Sequence, residues 1–210
     1  MLKRIFDFTL ALSGIVLSFP LWTLISLAIY LEDGLPIFYL QERIGKEARI
    51  FRAVKFRSMI KDAEKDSGPV QAKEEDPRVT KTGRMLRATA MDELPQLINI
   101  IKGEMSFVGP RALRPQEKEV QDSSIKSVFD YPGFSERNKV RPGLTGIAQI
   151  AAKRDIDRQN KFKYDLYYIK NQSFLLDLYL IIISFLITFK GRWESRIEKF
   201  SFLAKYFKNI

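Results

Sequence analysis

FTLALSGIVLSFPLWTLISLAIYL, residues Phe8 to Leu31, contains no charged side chain. About 20 apolar helical residues cross a bilayer's hydrocarbon, so the run reads as a membrane helix. It is too long for the apolar stretch of a secretory signal, and no small-x-small cleavage site precedes Glu32-Asp33. It is therefore expected to stay in the mature chain. Pro20 falls near its middle, removing one backbone donor, so a kink is expected there, with Ser18 returning a hydrogen bond to a freed carbonyl. Lys3 and Arg4 precede the run, while Arg43, Lys46, Arg49 and Arg52 follow it, so both ends prefer the cytoplasm under the positive-inside rule. A helix that enters one leaflet and returns satisfies both flanks. A simple kinked span is the alternative.

Outward from this run, residues 36 to 59 hold β-branched and aromatic side chains around Gly45, which predicts two short strands. Lys61 to Thr80 reads as an exposed loop. Asp92-Glu93-Leu94-Pro95 followed by QLINIIKG reads as a helix with Asp92 near its cap, Pro95 in its first turn and Gly103 at its end. Residues 115 to 129 read as a helix, and Tyr131 to Gly146 as an irregular stretch punctuated by Gly and Pro. Helices are expected over 155 to 171 and 174 to 189. Residues 199 to 208 alternate Phe, Leu and Tyr with Lys, as an amphipathic segment on an anionic surface does, or a helix packed on the domain.

The 210 residues suit one catalytic unit, and the composition removes much chemistry. With no His and no Cys, a Ser-His-Asp relay, a thiol nucleophile and a Cys/His zinc site are all excluded. Catalysis must run on carboxylates, Lys, Arg, Tyr, Ser or an oxygen-ligated metal. The net charge of +10 implies an anionic partner: nucleic acid, a phospholipid surface or a phosphorylated substrate. No helix-turn-helix, RNP or basic-zipper pattern is present, which argues against nucleic acid.

An ionised carboxylate can attack phosphorus, and the positive end of a helix dipole with nearby cations keeps it ionised. Asp92 meets that demand, and Glu93 beside it is a candidate Mg2+ ligand. Taken alone, such a pair is most often a plain helix cap. Phosphoryl transfer also needs cations around the equatorial oxygens, and Lys55, Arg57, Arg84, Arg87, Arg111, Arg114 and Arg141 supply them. Two of these, Arg111 and Arg141, sit in the turns Gly109-Pro110-Arg111 and Arg141-Pro142-Gly143, which stiffen the backbone.

The runs VKFRSM (54 to 59), DELPQLINIIKGEMSFVGPRAL (92 to 113) and VRPGLTGIAQI (140 to 150) resemble the bacterial sugar transferases known as small monotopic phosphoglycosyl transferases. KRIFDF, KYDLYYIKN and SFLLDLYL extend the resemblance to about residue 185, and the length leaves no room for the extra domains of larger members. The resemblance implies an exchange at the cytoplasmic face of the bacterial inner membrane. An Asp attacks the β-phosphate of a UDP-sugar, UMP leaves, and polyprenyl phosphate takes the phosphosugar. It implies Asp92 as nucleophile, Glu93 as Mg2+ ligand, phosphate contacts from Arg87 and Arg111, and less defined roles for Lys55, Arg57, Arg141 and Gln149. It also favours the re-entrant helix over the span, although Phe19 separates Ser18 from Pro20 where the family has a Ser-Pro pair. Pro110-Arg111-Ala112 replaces the family's Pro-Arg-Pro, which is expected to relax the turn that orients Arg111.

The expected fold is α+β and mainly helical. Residues 1–33 form the re-entrant helix, 34–190 a cytoplasmic catalytic domain with a small β-hairpin and membrane-surface helices, and 191–210 a basic amphipathic segment. The apolar helix also offers a surface for homodimer pairing. Two rival readings stand beside this one: a membrane-anchored basic binding protein, and a glycosyl transferase that releases UDP.

Overall fold

The computed structural model describes residues 1–65, 76–116, 127–152 and 157–190. Residues 117 to 126 of the helix expected over 115 to 129, the first two residues of that expected over 155 to 171, part of the 61 to 80 loop and the whole 191–210 segment lie outside the described residues.

The charge-free run forms one helix, α1 (Leu2–Asp33), with Pro20 inside it. Ser18 Oγ donates to Gly14 O at 2.6 Å and accepts from Trp22 Nε1 at 2.9 Å. The carbonyl that Pro20 leaves unmatched is that of Val16, four residues back. Ser18 therefore bonds a carbonyl two residues before the freed one, and not the freed one itself.

The helix is about 48 Å long at 1.5 Å per residue, and both of its ends are fastened to the rest of the chain. At the start, Lys3 Nζ meets Asp177 at 2.6 Å, Arg4 donates to Ile100 O and Ile101 O, and buried Asp7 accepts from Ser106 Oγ and Phe107 N. At the far end, Glu32 accepts from Lys81 N and Thr82 N, capping α2 (Lys81–Ala88). Arg57 is 7% exposed and donates to Asp33 O and Gly34 O. One stripe of α1 is buried, through Asp7, Ala11, Ile25 and Ile29, while Leu12, Val16, Leu17, Phe19, Leu24 and Leu27 stay exposed.

The hairpin expected around Gly45 is present: β1 (Phe38–Ile44) and β2 (Ile50–Phe56) pair antiparallel, Phe38 opposite Phe56 and Ile44 opposite Ile50. A short 3-10 helix (Met91–Gln96) leads into α3 (Leu97–Lys102), which ends at left-handed Gly103. A parallel pair, β3 (Ser106–Val108) and β4 (Gly143–Thr145), lies beyond, with α4 (Phe134–Arg137) between them in sequence. The chain closes with α5 (Ile147–Ala151), α6 (Arg158–Asn171) and α7 (Phe174–Phe189). Helix α7 buries Leu180, Ile183 and Ile187 against Val108, Ile147, Ile150 and Tyr168. Its other side exposes Phe174, Leu175, Ile182, Phe185 and Phe189. The one charge in α7, Asp177, is buried between Lys3 and Tyr168 and does not face out.

Candidate active site

Successive side chains of a strand alternate between faces, so Phe51, Ala53 and Lys55 of β2 point the same way. Phe51 and Ala53 pack on Leu97, Ile100 and Met105, and Lys55 extends past this core towards the 3-10 helix. Asn99, fully buried in α3, accepts from Val54 N at 3.0 Å and donates to Arg52 O at 2.8 Å. It thus satisfies one edge of β2 and fixes the spacing between strand and helix.

Across that spacing Lys55 Nζ meets Glu93 Oε1 at 2.6 Å, and the two side chains are only 13% and 15% exposed. Arg111, 51% exposed, approaches the same oxygen at 3.5 Å. Buried Arg43 donates to Gln41 Oε1 and to Ala112 O, and with Gln96 it lines the cleft that contains Lys55, Glu93 and Arg111.

Asp92 lies near the cap as expected, two residues inside it. The turn is opened by Ala90 in the left-handed region, φ 55°, and Asp92 and Glu93 lie inside the first 3-10 turn. The two carboxyls titrate in opposite directions. Burial, with the adjacent Glu93 charge, pushes Asp92 up to about 6, against the pull of Lys55, Arg87 and Arg111. Burial acts on Glu93 too, but Lys55 and Arg111 overcome it and hold that carboxyl down at about 2. Helix position and cations therefore do not depress Asp92 as the sequence suggests, because burial outweighs them. At about 6, Asp92 is still roughly nine-tenths ionised at pH 7.

The turn carrying Arg111 is fixed by its backbone. Gly109 N donates to Thr145 O at 3.0 Å and Gly143 N to Pro110 O at 2.9 Å, so the two Gly/Pro turns singled out by sequence lie against each other. A Cβ on Gly143 would stand 2.1 Å from Gly109 N, which explains the glycine. Arg137 donates to Arg111 O and pairs through Nε with buried Asp165 at 2.7 Å. Three of these bonds hold the turn directly, with the Arg137–Asp165 pair behind them, where the family's second proline is replaced by Ala112.

Of the residues expected at the site, Asp92, Glu93, Lys55 and Arg111 come together, with Arg87 close enough to act on Asp92 electrostatically. Arg57 does not join them, since it clamps the end of α1. Arg141 donates to Gly103 O and lines a separate cavity, and Gln149 is buried in α5 and is not among the residues lining the cleft. Ser18 and Pro20 lie in mid-α1. Sequence reading missed Arg43 as a cleft residue, together with Gln96, Asn99 and the Arg137–Asp165 pair. A buried Arg in a strand carries no periodic signature, and the pair is 28 residues apart in sequence.

No group of three or more carboxylates is gathered among the described residues. Mg2+ commonly takes one or two carboxylates and completes its shell with water and substrate phosphates. Glu93, ionised and with one oxygen engaged by Lys55, and Asp92 beside it fit an ion shared with a diphosphate substrate.

Residues 1–191 match the family model described as "Bacterial sugar transferase". The chain is 36% identical over 193 residues to the exopolysaccharide production protein ExoY of Sinorhizobium fredii, covering 85% of this chain and 81% of that one. It is 39% identical over 184 residues to the UDP-N-acetylgalactosamine-undecaprenyl-phosphate N-acetylgalactosaminephosphotransferase of Aeromonas hydrophila. It is also 39% identical over 196 residues to the UDP-glucose:undecaprenyl-phosphate glucose-1-phosphate transferase of Escherichia coli. These last two alignments cover 86% and 91% of this chain but only 42% and 40% of the longer relatives. With the family model matched over 191 of 210 residues, the chain belongs to the bacterial sugar transferase family.

Proposed function

We propose that this protein moves a sugar 1-phosphate from a UDP-sugar to polyprenyl phosphate through a covalent intermediate on Asp92, releasing UMP. The observation that carries the reading is the split acidic pair: two adjacent carboxyls, one committed to Lys55 and Arg111, the other left to attack. Two relatives are named for transfer from UDP-sugars to undecaprenyl phosphate, which supports the same donor and acceptor classes here.

In the first half-reaction an Asp92 Oδ forms a bond to the β-phosphorus, and the bond from that phosphorus to the bridging oxygen breaks, so the oxygen leaves on UMP. In the second, a phosphate oxygen of the polyprenyl phosphate attacks the same phosphorus. The Oδ–P bond breaks, Asp92 returns as carboxylate, and the product is a polyprenyl diphosphosugar. The acyl phosphate keeps the transfer potential of the pyrophosphate, so neither half need be steeply uphill. Lys55 and Arg111 face the charge that spreads over the equatorial oxygens, with Arg87 beside the nucleophile. Mg2+ held by Glu93 would add charge neutralisation at the diphosphate when bound.

The protein works at the cytoplasmic face of the inner membrane with α1 re-entrant. The support is that Lys3, Arg4 and Asp7 at one end, and Glu32 and Asp33 at the other, bind the same body. A helix that crossed the bilayer would carry its two ends to opposite sides. The exposed apolar faces of α1 and α7 supply the lipid contact. The test is the nucleotide product: with donor, polyprenyl phosphate and Mg2+, chromatography should show UMP. UDP in its place would establish plain glycosyl transfer and overturn the reading.

A further inference from the structure

A cavity of about 220 Å³, sharing no lining residue with the cleft that contains Glu93, opens at the start of α1. Its lining gathers Lys3, Arg4, Lys46, Lys139 and Arg141 from three separate segments, against one acid, Asp7. Asp7 is already engaged by Ser106 Oγ and Phe107 N, and Lys3 is neutralised by Asp177 at 2.6 Å. The other four cations are not cancelled in the same way. Arg4 and Arg141 are held by carbonyls at the end of α3, Arg4 by Ile100 and Ile101 and Arg141 Nε by Gly103, which orient their charge without removing it. The two guanidinium groups converge there, Arg4 Nη2 lying 3.3 Å from where a Gly103 Cβ would be. Among the described residues Lys46 and Lys139 pair with exposed partners at 3.4 and 3.5 Å, Glu47 and Glu136, and such surface pairs bind weakly.

Like charges brought together at a concave surface call for an anion. Apolar surface adjoins the cavity: Phe6 meets Phe174 edge-on at 5.1 Å beside the Lys3–Asp177 pair, and Leu2, Phe174 and Leu175 are exposed. A basic pocket beside such surface, at the end of a membrane helix, has the chemistry of a phospholipid headgroup site. We infer that this cavity binds the phosphate of an anionic phospholipid, with the acyl chains along Leu2, Phe174 and Leu175. The inference rests on the membrane placement of α1 proposed above. It gives α1 a lipid-dependent anchor separate from the Asp92 cleft.

The test is native mass spectrometry of the full chain released from nanodiscs of phosphatidylcholine mixed with phosphatidylglycerol, for wild type and a Lys46→Gln/Lys139→Gln double variant. Wild type should retain phosphatidylglycerol in preference to phosphatidylcholine. The double variant should lose about tenfold or more of that preference, since each surface cation contributes appreciably to anionic-lipid binding. Soluble glycerol phosphate should not displace the lipid. Equal retention of both lipids, or a preference untouched by the double variant, would overturn the site. Displacement by glycerol phosphate would assign the cavity to a soluble phosphate and overturn the lipid. Flotation on pure phosphatidylcholine vesicles separates the two readings. A chain that floats without preferring phosphatidylglycerol loses only the headgroup site, whereas one that fails to float loses the membrane placement as well.

Discussion

Lys55→Met removes the cation that sets the balance between the two carboxyls while keeping most of the side chain's volume. A cation within about 4–6 Å lowers a carboxyl's pKa by roughly 1–3. Lys55 hydrogen-bonds Glu93, while its pull on Asp92 is through the field alone, so the lower part of that range applies to Asp92. Asp92 should therefore rise from about 6 to roughly 7–8. The covalent step needs the ionised form, so its rate is present above the pKa and lost as pH falls through it. At pH 7 the ionised fraction would drop from about nine-tenths to between about one-half and one-tenth, slowing formation of the intermediate roughly two- to tenfold. The assay is single-turnover release of UMP, without acceptor, across a pH series. The acid limb of the variant should be displaced upward by about one to two pH units, and most of the lost rate should return near pH 9. A rate depressed equally at every pH, with the limb unmoved, would show that Lys55 grips substrate and does not tune Asp92.

Asp92→Asn should stabilise the fold. A buried carboxyl raised from 3.8 to about 6 costs the folded state energy once ionised, about 1–3 kcal/mol allowing for its partial exposure. The gain should be full above pH 6 and fade as pH falls towards 4, where the folded carboxyl is neutral and the unfolded one is losing its charge; thermal unfolding of the detergent-solubilised protein at pH 8 and pH 4 reads it, and no gain at pH 8 would contradict it. Gly143→Ala should displace the Arg111 turn, because the new Cβ would stand 2.1 Å from Gly109 N. A shift on the order of 1 Å at a positioning residue can cost about 100-fold in rate. UMP release should fall to that extent while circular dichroism stays near wild type, and unimpaired turnover would show that this contact yields harmlessly.

Much of the fold was legible because its signals are local. A charge-free run needs no partner to declare itself, and the Gly45 hairpin and left-handed Gly103 follow from turn chemistry. The two Gly/Pro turns were visible as stiff segments, and the structure adds that they lie against each other. What was not legible depends on which way long side chains point. Arg57 and Arg141 look like phosphate ligands in their motifs, yet one holds the end of α1 and the other the end of α3. The titration of Asp92 was not legible either, since spacing cannot say that burial outweighs the cations around it. Asn99 and Asp165 order the site through contacts 28 to 47 residues distant, beyond the reach of any periodic pattern.

The central claim is that Asp92 carries the phosphosugar. Intact-mass spectrometry of the detergent-solubilised protein, incubated with Mg2+ and a panel of UDP-sugars without acceptor, tests it directly, with Asp92→Asn alongside. The account predicts a mass increment equal to one phosphosugar on wild type, absent from the variant and discharged when polyprenyl phosphate is added. UMP appearing only with acceptor present, and no adduct at any time on wild type, would contradict the covalent step and favour direct transfer between the two substrates.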